Sequence, residues 1–177
     1  MKRISFNLLI LSIILALSGC ATNASPAQMI AYKMPASAPK NKNLVSAITV
    51  DQIAGGSVAN PLWLAGITNE DFKTALIESL RNVNLYHDFD GAKYSLNAKL
   101  VKLQQPVIGF NFTVNCEVHY TVQNIKTQAK IYDKSISTSY TAKVSDALVG
   151  VIRIRKANEG AARLNIEKFI ADLYQQS

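Results

Sequence analysis

Two histidines, two cysteines and 12 acidic residues are what this chain of 177 residues could use for catalysis or metal binding. His119 stands two positions after Glu117 in an alternating stretch, which places both on one face of a strand. Such a pair could serve as a general base or as half of a metal site. Metal sites need three or four converging ligands, and no further ligand stands at a recognisable spacing. A solvated strand face is therefore the simpler reading, and an enzyme using Glu117 and His119 is kept as an alternative. His87-Asp88-Phe89-Asp90-Gly91 reads as a turn with Asp-Gly chemistry and lacks the ligand order of a calcium loop. No serine sits in a G-x-S-x-G elbow, and Gly55-Gly56 is too short a glycine run to cradle phosphate. The expectation is a non-enzyme with no metal and no cofactor.

The elements that would position these residues are readable from periodicity. From Asn111 to Gln123, Phe112, Val114, Cys116, Val118, Tyr120 and Val122 alternate with polar residues, which predicts one long antiparallel strand with a dry and a wet face. Cys116 falls on the dry face and is expected buried and inert. Tyr94, Leu96, Ala98 and Leu100 alternate in the same way, and the phase then slips to Val101 and Leu103, which suggests a bulge or strand end. Residues 130–144 and 44–50 supply two more strands. Thr68 and Asp71 approximate a capping box before a helical face of Phe72, Leu76, Leu80 and Val83, with Asn82 and Asn84 as the stop. A second helix is expected over 158–174, with Ala162, Ile166, Phe169, Ile170 and Leu173 inward. The order β-α-β-β-β-α predicts an α+β single domain, a mainly antiparallel sheet of about four strands with two helices on one face.

Two connections are longer or richer than turns require. Gly55 to Gly66 carries Leu62-Trp63-Leu64, including the single tryptophan, and is expected either to anchor a partner or lipid or to plug the open end of the core. Ser145 to Lys156 interleaves apolar residues with Arg153, Arg155 and Lys156. It is expected either as a patch for a membrane surface or anionic ligand, or as a short fifth strand over 151–155 with its arginines guarding an edge.

The N-terminus bears on location. Met1-Lys2-Arg3 is a basic start, Leu8 to Leu17 is almost unbroken apolar sequence, and Leu17-Ser18-Gly19-Cys20 closes it. This has the anatomy of a secretory signal, and the apolar run is short against the roughly 20 residues a membrane span needs. Leu17-Ser18-Gly19-Cys20 resembles the lipobox of bacterial lipoproteins. The resemblance implies cleavage after residue 19, acylation of Cys20 and a stable membrane anchor. Ala21 in place of Asp implies the outer membrane, with the domain facing the periplasm. The expected division is a signal peptide over 1–19, a lipidated flexible tether over 20–43 and the folded domain over 44–177. With Cys20 acylated, Cys116 has no intramolecular disulfide partner. Loss of Lys2 and Arg3 leaves 17 cationic residues against 12 acidic ones. That modest, dispersed charge and the compartment argue against nucleic acid.

The lipidated head and its element order resemble LptE-like and other small periplasm-facing accessory lipoproteins of transporters and cell-wall synthases. Asn60-Pro61-Leu62-Trp63 and Glu159-Gly160-Ala161-Ala162-Arg163 are similar to segments of a group of proteobacterial lipoproteins. The resemblance carries over no functional residue but Cys20; the two unusual connections themselves supply the expectation of an accessory or adaptor protein that docks an envelope protein partner through Leu62, Trp63, Leu64, Arg153, Arg155 and Lys156. A carrier of lipid or another amphiphile, holding its cargo in an apolar groove between sheet and helices, is the alternative of a different class.

Overall fold

The computed structural model describes residues 22–33, 39–60 and 65–175. Its frame is a four-stranded sheet in the order β1-β2-β3-β4, formed by Ile48–Ala54, Tyr94–Gln104, Phe112–Asn124 and Lys130–Ala142. β2, β3 and β4 are antiparallel neighbours, whereas β1 runs parallel to β2 and is linked to it through a crossover helix. The α+β single domain is the expected one, with a mixed sheet. The slip of phase after Leu100 is a bulge, with the register shifting between Leu100 and Lys102.

Three helices accompany the sheet: α1 (Pro26–Met29), α2 (Asn69–Asn82) and α3 (Gly150–Tyr174). Helix α2 starts where its cap predicts: Thr68 Oγ1 accepts the Asp71 backbone N–H at 3.0 Å and donates to the Asp71 carboxylate at 2.6 Å. The reciprocal half of a standard capping box, carboxylate to backbone N–H, is thus replaced by a hydroxyl–carboxylate bond. Phe72, Leu76 and Leu80 are fully buried, and the chain turns out of the helix through Asn84 in the left-handed region, φ 56°. On the other side of the core, Tyr120 of β3 stacks on Phe169 of α3 at 4.1 Å between ring centroids, and Tyr132 of β4 meets Phe169 edge-on. Val118, Tyr120, Val122, Ile166, Phe169, Ile170 and Leu173 are all fully buried in one cluster. The layer between sheet and helices, where the carrier reading would place an apolar groove, is thus filled by side chains.

Two expectations are corrected. The chain from Thr22 to Lys33, expected as part of a flexible tether over 20–43, belongs to the domain. Ala24, Met29 and Ala31 lie in the core. Ala24 donates to Gly66 O at 2.8 Å, Ser25 to the Glu159 carboxylate at 2.9 Å and Ala31 to Ser79 Oγ at 2.9 Å. Short α1 packs against both α2 and α3. Its apolar residues are too few and too small to leave a periodicity, so only their tertiary seat reveals them. Lys40 is also tied in, donating to Tyr174 O at 3.0 Å.

The second correction concerns residues 150–157. Neither a fifth strand nor a loop, they form the first two turns of α3, which begins at Gly150 rather than near Asn158. Val151, Ile152 and Ile154 give the segment strand-like composition. Ile154 and Ala157 are buried, however, and the whole run from Ala157 to Ala162 is shielded. A helix covered on nearly all sides shows no amphipathic stripe to read. Gly160 marks the closest approach: a Cβ there would overlap the Tyr140 ring. That contact accounts for a mid-helix glycine, which otherwise costs about 1 kcal/mol relative to alanine.

Candidate functional site

Two polar constellations stand out on the described surface. The first lies on the open face of the sheet, away from the helices. His119 Nε2 is 2.8 Å from Asp133 Oδ1, and His119 Nδ1 is 3.1 Å from Ser135 Oγ. Thr121 Oγ1 donates to Asp133 Oδ1 at 2.9 Å and Lys130 Nζ to Asp133 Oδ2 at 2.8 Å. These bonds, Lys130 first, hold the Asp133 carboxyl down at about 2. Ser, His and Asp together match the residue types of a hydrolase triad, but here the carboxylate sits on Nε2 and the hydroxyl on Nδ1, the reverse of that arrangement. Strand register explains the cluster without chemistry, since His119 lies opposite Ser135 and Thr121 opposite Asp133. Such cross-strand pairs are the ordinary unit of sheet stabilisation. The expected partnership of Glu117 with His119 is not formed. Glu117 instead stands with Lys102, Gln104, Asn115 and Ser137 around a shallow concavity of about 370 Å³. No group of three or more His, Cys, Asp or Glu residues is placed to hold a metal among the described residues.

The second constellation is a groove of about 560 Å³ where the start of α3 meets the edge strand β4 and the N-terminal segment. Arg155, Lys156 and Arg163 bring three cations to it, with Glu159, Asp146 and the Tyr140 ring between them. Glu159 is almost fully buried and accepts from Ser25 N at 2.9 Å, with Arg155 Nε 3.7 Å away. Burial raises its carboxyl above the ordinary value, opposed by the Ser25 N–H and by Arg155, Lys156 and Arg163. Arg163 lies 5.8 Å from the ring centroids of both Tyr140 and Tyr32, at cation–π range. Excess cations around an aromatic ring suit an acidic group on a partner or ligand.

Of the residues expected to dock a partner, Arg155 and Lys156 reach this groove. Arg153 does not. It is buried, donates to the carbonyls of Ala147 at 2.6 Å and Leu148 at 2.8 Å, and lies 4.9 Å over the Phe112 ring. It braces the turn entering α3 and is unavailable to a partner. Leu62, Trp63 and Leu64, like Cys20, lie outside the described residues. Cys116 is buried and unpaired, and burial pushes its thiol up to about 12.

Arg163, Glu159 and Tyr140 escaped the sequence reading as site residues. The i, i+4 spacing of Arg155, Glu159 and Arg163 places them on one helical face. That spacing could have been read only once residues 150–157 were known to be helical.

No family model and no curated protein matches the sequence. Solved structures do share the fold. A Caulobacter crescentus protein assigned as a lipoprotein is 16% identical with TM-score 0.50, over 73% of this chain and 89% of that one. A Xanthomonas campestris protein of the DUF330 family is 9% identical with TM-score 0.58, over 81% and 91%. PelC from Paraburkholderia phytofirmans, solved as a dodecamer, is 11% identical with TM-score 0.51, over 80% and 96%. At such identities the likeness establishes the fold alone.

Proposed function

We propose that the chain is a non-catalytic accessory lipoprotein, anchored through Cys20 to the outer membrane with its domain in the periplasm, where it docks a protein partner of envelope assembly or transport. The lipobox, and a fold shared with a protein assigned as a lipoprotein, support the anchored state. The observation that carries the docking role is the groove of Arg155, Lys156 and Arg163 around Tyr140, which offers charge and ring contacts for an acidic surface. Its lining comes from α3, β4 and the N-terminal segment together, so its shape is set by the packed domain. PelC, of the same fold, is a dodecamer, and self-association of this chain is part of the same reading.

A photo-crosslinking residue at position 156, in cells, tests this. The expected result is a discrete adduct with one envelope protein or a second copy, lost when Arg155 and Arg163 are both replaced by Ala in a chain still recovered folded from the membrane fraction. An adduct pattern unchanged by those replacements refutes it. The anchor is tested separately by palmitate labelling, which should mark the wild type and not Cys20→Ser.

A further inference from the structure

One end of the domain collects the carboxyl ends of β1, β2 and β4, the start of β3 and the amino ends of α2 and α3. The two long connections that stand out in the sequence, 55–66 and 145–156, both open here. So does the link between β2 and β3, residues 105–111. This end is apolar where solvent would favour polar side chains: Val107 is 73% exposed, Ile108 90%, Phe110 85%, Leu148 86% and Val58 77%. The opposite hairpin, residues 125–129, is closed by Asn124 capping the turn N–H groups and presents Lys126, Thr127 and Gln128. Hairpin tips do not need three exposed apolar residues in four, and a clustered patch of this kind marks a contact surface.

The N-terminal chain arrives at the same end. Arg155 donates to Thr22 Oγ1 at 2.7 Å, Ala59 to Asn23 Oδ1 at 2.7 Å, and Ala24 to Gly66 O at 2.8 Å. Gln105, at the root of the apolar tip, donates to Ala65 O at 2.9 Å, one residue from the carbonyl that holds Ala24. Cys20 is two positions before Thr22, a reach of at most about 7 Å. An acylated Cys20 therefore leaves no slack to hold the domain clear of the lipid.

We infer that this end is seated in the membrane surface, with Val107, Ile108 and Phe110 entering the boundary between head groups and acyl chains beside the anchor. Interfacial apolar groups settle roughly 5–10 Å into that boundary. Lys143 lies at the foot of the tip, its neighbour Val144 donating to Asn111 Oδ1 at 3.3 Å, and adds a cation for anionic head groups. The domain is then held in one orientation, its sheet edge-on to the bilayer, instead of swinging on a leash. The inference rests on the Cys20 anchor of the proposed function.

The test uses the full lipidated protein in vesicles of phosphatidylethanolamine and phosphatidylglycerol. A nitrobenzoxadiazole label is placed at Ile108→Cys or, as the control at the opposite end, at Phe89→Cys; Cys116 is buried and stays unlabelled. The label at 108 should be quenched several-fold more than that at 89 by a spin label carried on acyl chains, and several-fold less by iodide. If the protein floats with the vesicles but both positions respond alike, the seat is refuted and the anchor stands. Shielding of 108 from iodide without quenching from lipid also refutes the seat, because the tip is then covered by protein. If the protein does not float, the anchor fails and the seat with it.

Discussion

Replacing Asn165 by alanine should cost more stability than any apolar truncation of similar size, because the amide ties helix to sheet at a fully buried point. Its Oδ1 accepts the Tyr120 hydroxyl at 2.9 Å. Its Nδ2 donates to Ile136 O at 2.8 Å, with Thr138 Oγ1 at 3.2 Å and Cys116 O at 3.3 Å also in range. Each buried bond contributes about 1 kcal/mol net, and each buried group left without a partner costs about 1–3 kcal/mol. The Tyr120 hydroxyl is fully enclosed and belongs at the upper end, whereas the Ile136 carbonyl lies on an edge strand and can recover part of its loss. With a small void in place of the amide, Asn165→Ala should lose about 3–5 kcal/mol. At 2–4 °C per kcal/mol for a domain of this size, the melting temperature falls by about 6–20 °C. Tyr120→Phe removes the hydroxyl that Asn165→Ala orphans, so the double variant should be less destabilised than the sum by about 1–2 kcal/mol. Urea unfolding followed by circular dichroism measures all three. An Asn165→Ala variant within about 1 kcal/mol of wild type, or strict additivity with Tyr120→Phe, refutes the network.

Arg153→Ala should cost about 2–4 kcal/mol, by freeing the Ala147 and Leu148 carbonyls and baring the Phe112 ring, while Lys156→Ala stays within about 0.5 kcal/mol; equal urea midpoints for the two would show that Arg153 is no brace. Cys116 should resist iodoacetamide at pH 8 until the chain unfolds, and fast alkylation of the native protein would contradict its burial. The folded thiol keeps its proton up to about 12 against an ordinary 9.0, so its contribution to stability is whole below pH 9 and declines as pH rises towards 12. Cys116→Ala should flatten that alkaline decline, as read from melting temperatures across the range.

Much of the frame was legible in the order of residues. The alternation from Phe112 to Gln123 fixes which side of β3 is dry, because side chains on a strand repeat every second residue. The slip after Leu100 is the bulge, and Thr68 with the Phe72, Leu76 and Leu80 stripe fixes the start and face of α2. These signals survive because each element meets the core on one side only. The likeness of Leu17-Ser18-Gly19-Cys20 to a lipobox is likewise a matter of sequence.

What only tertiary packing decides lies where an element is covered on several sides or owes its place to a distant partner. In α3, Ile154 and the whole run from Ala157 to Ala162 are buried, so burial blurs the helical stripe and leaves a strand-like composition at its start. Ala24, Met29 and Ala31 have no period of their own and are ordered by the gap they fill between α2 and α3. Arg153 reads as a surface cation in sequence and becomes a brace because the carbonyls of its own turn fold back on it. The groove sets Arg155, Lys156, Glu159 and Arg163 of α3 against Tyr140 of β4 and the distant Ser25, and the end of the domain that carries Val107, Ile108, Phe110 and Leu148 also receives Thr22, held by Arg155. Local propensity reports the environment of a few neighbouring residues, and which distant segments meet is settled by the packing of the whole core.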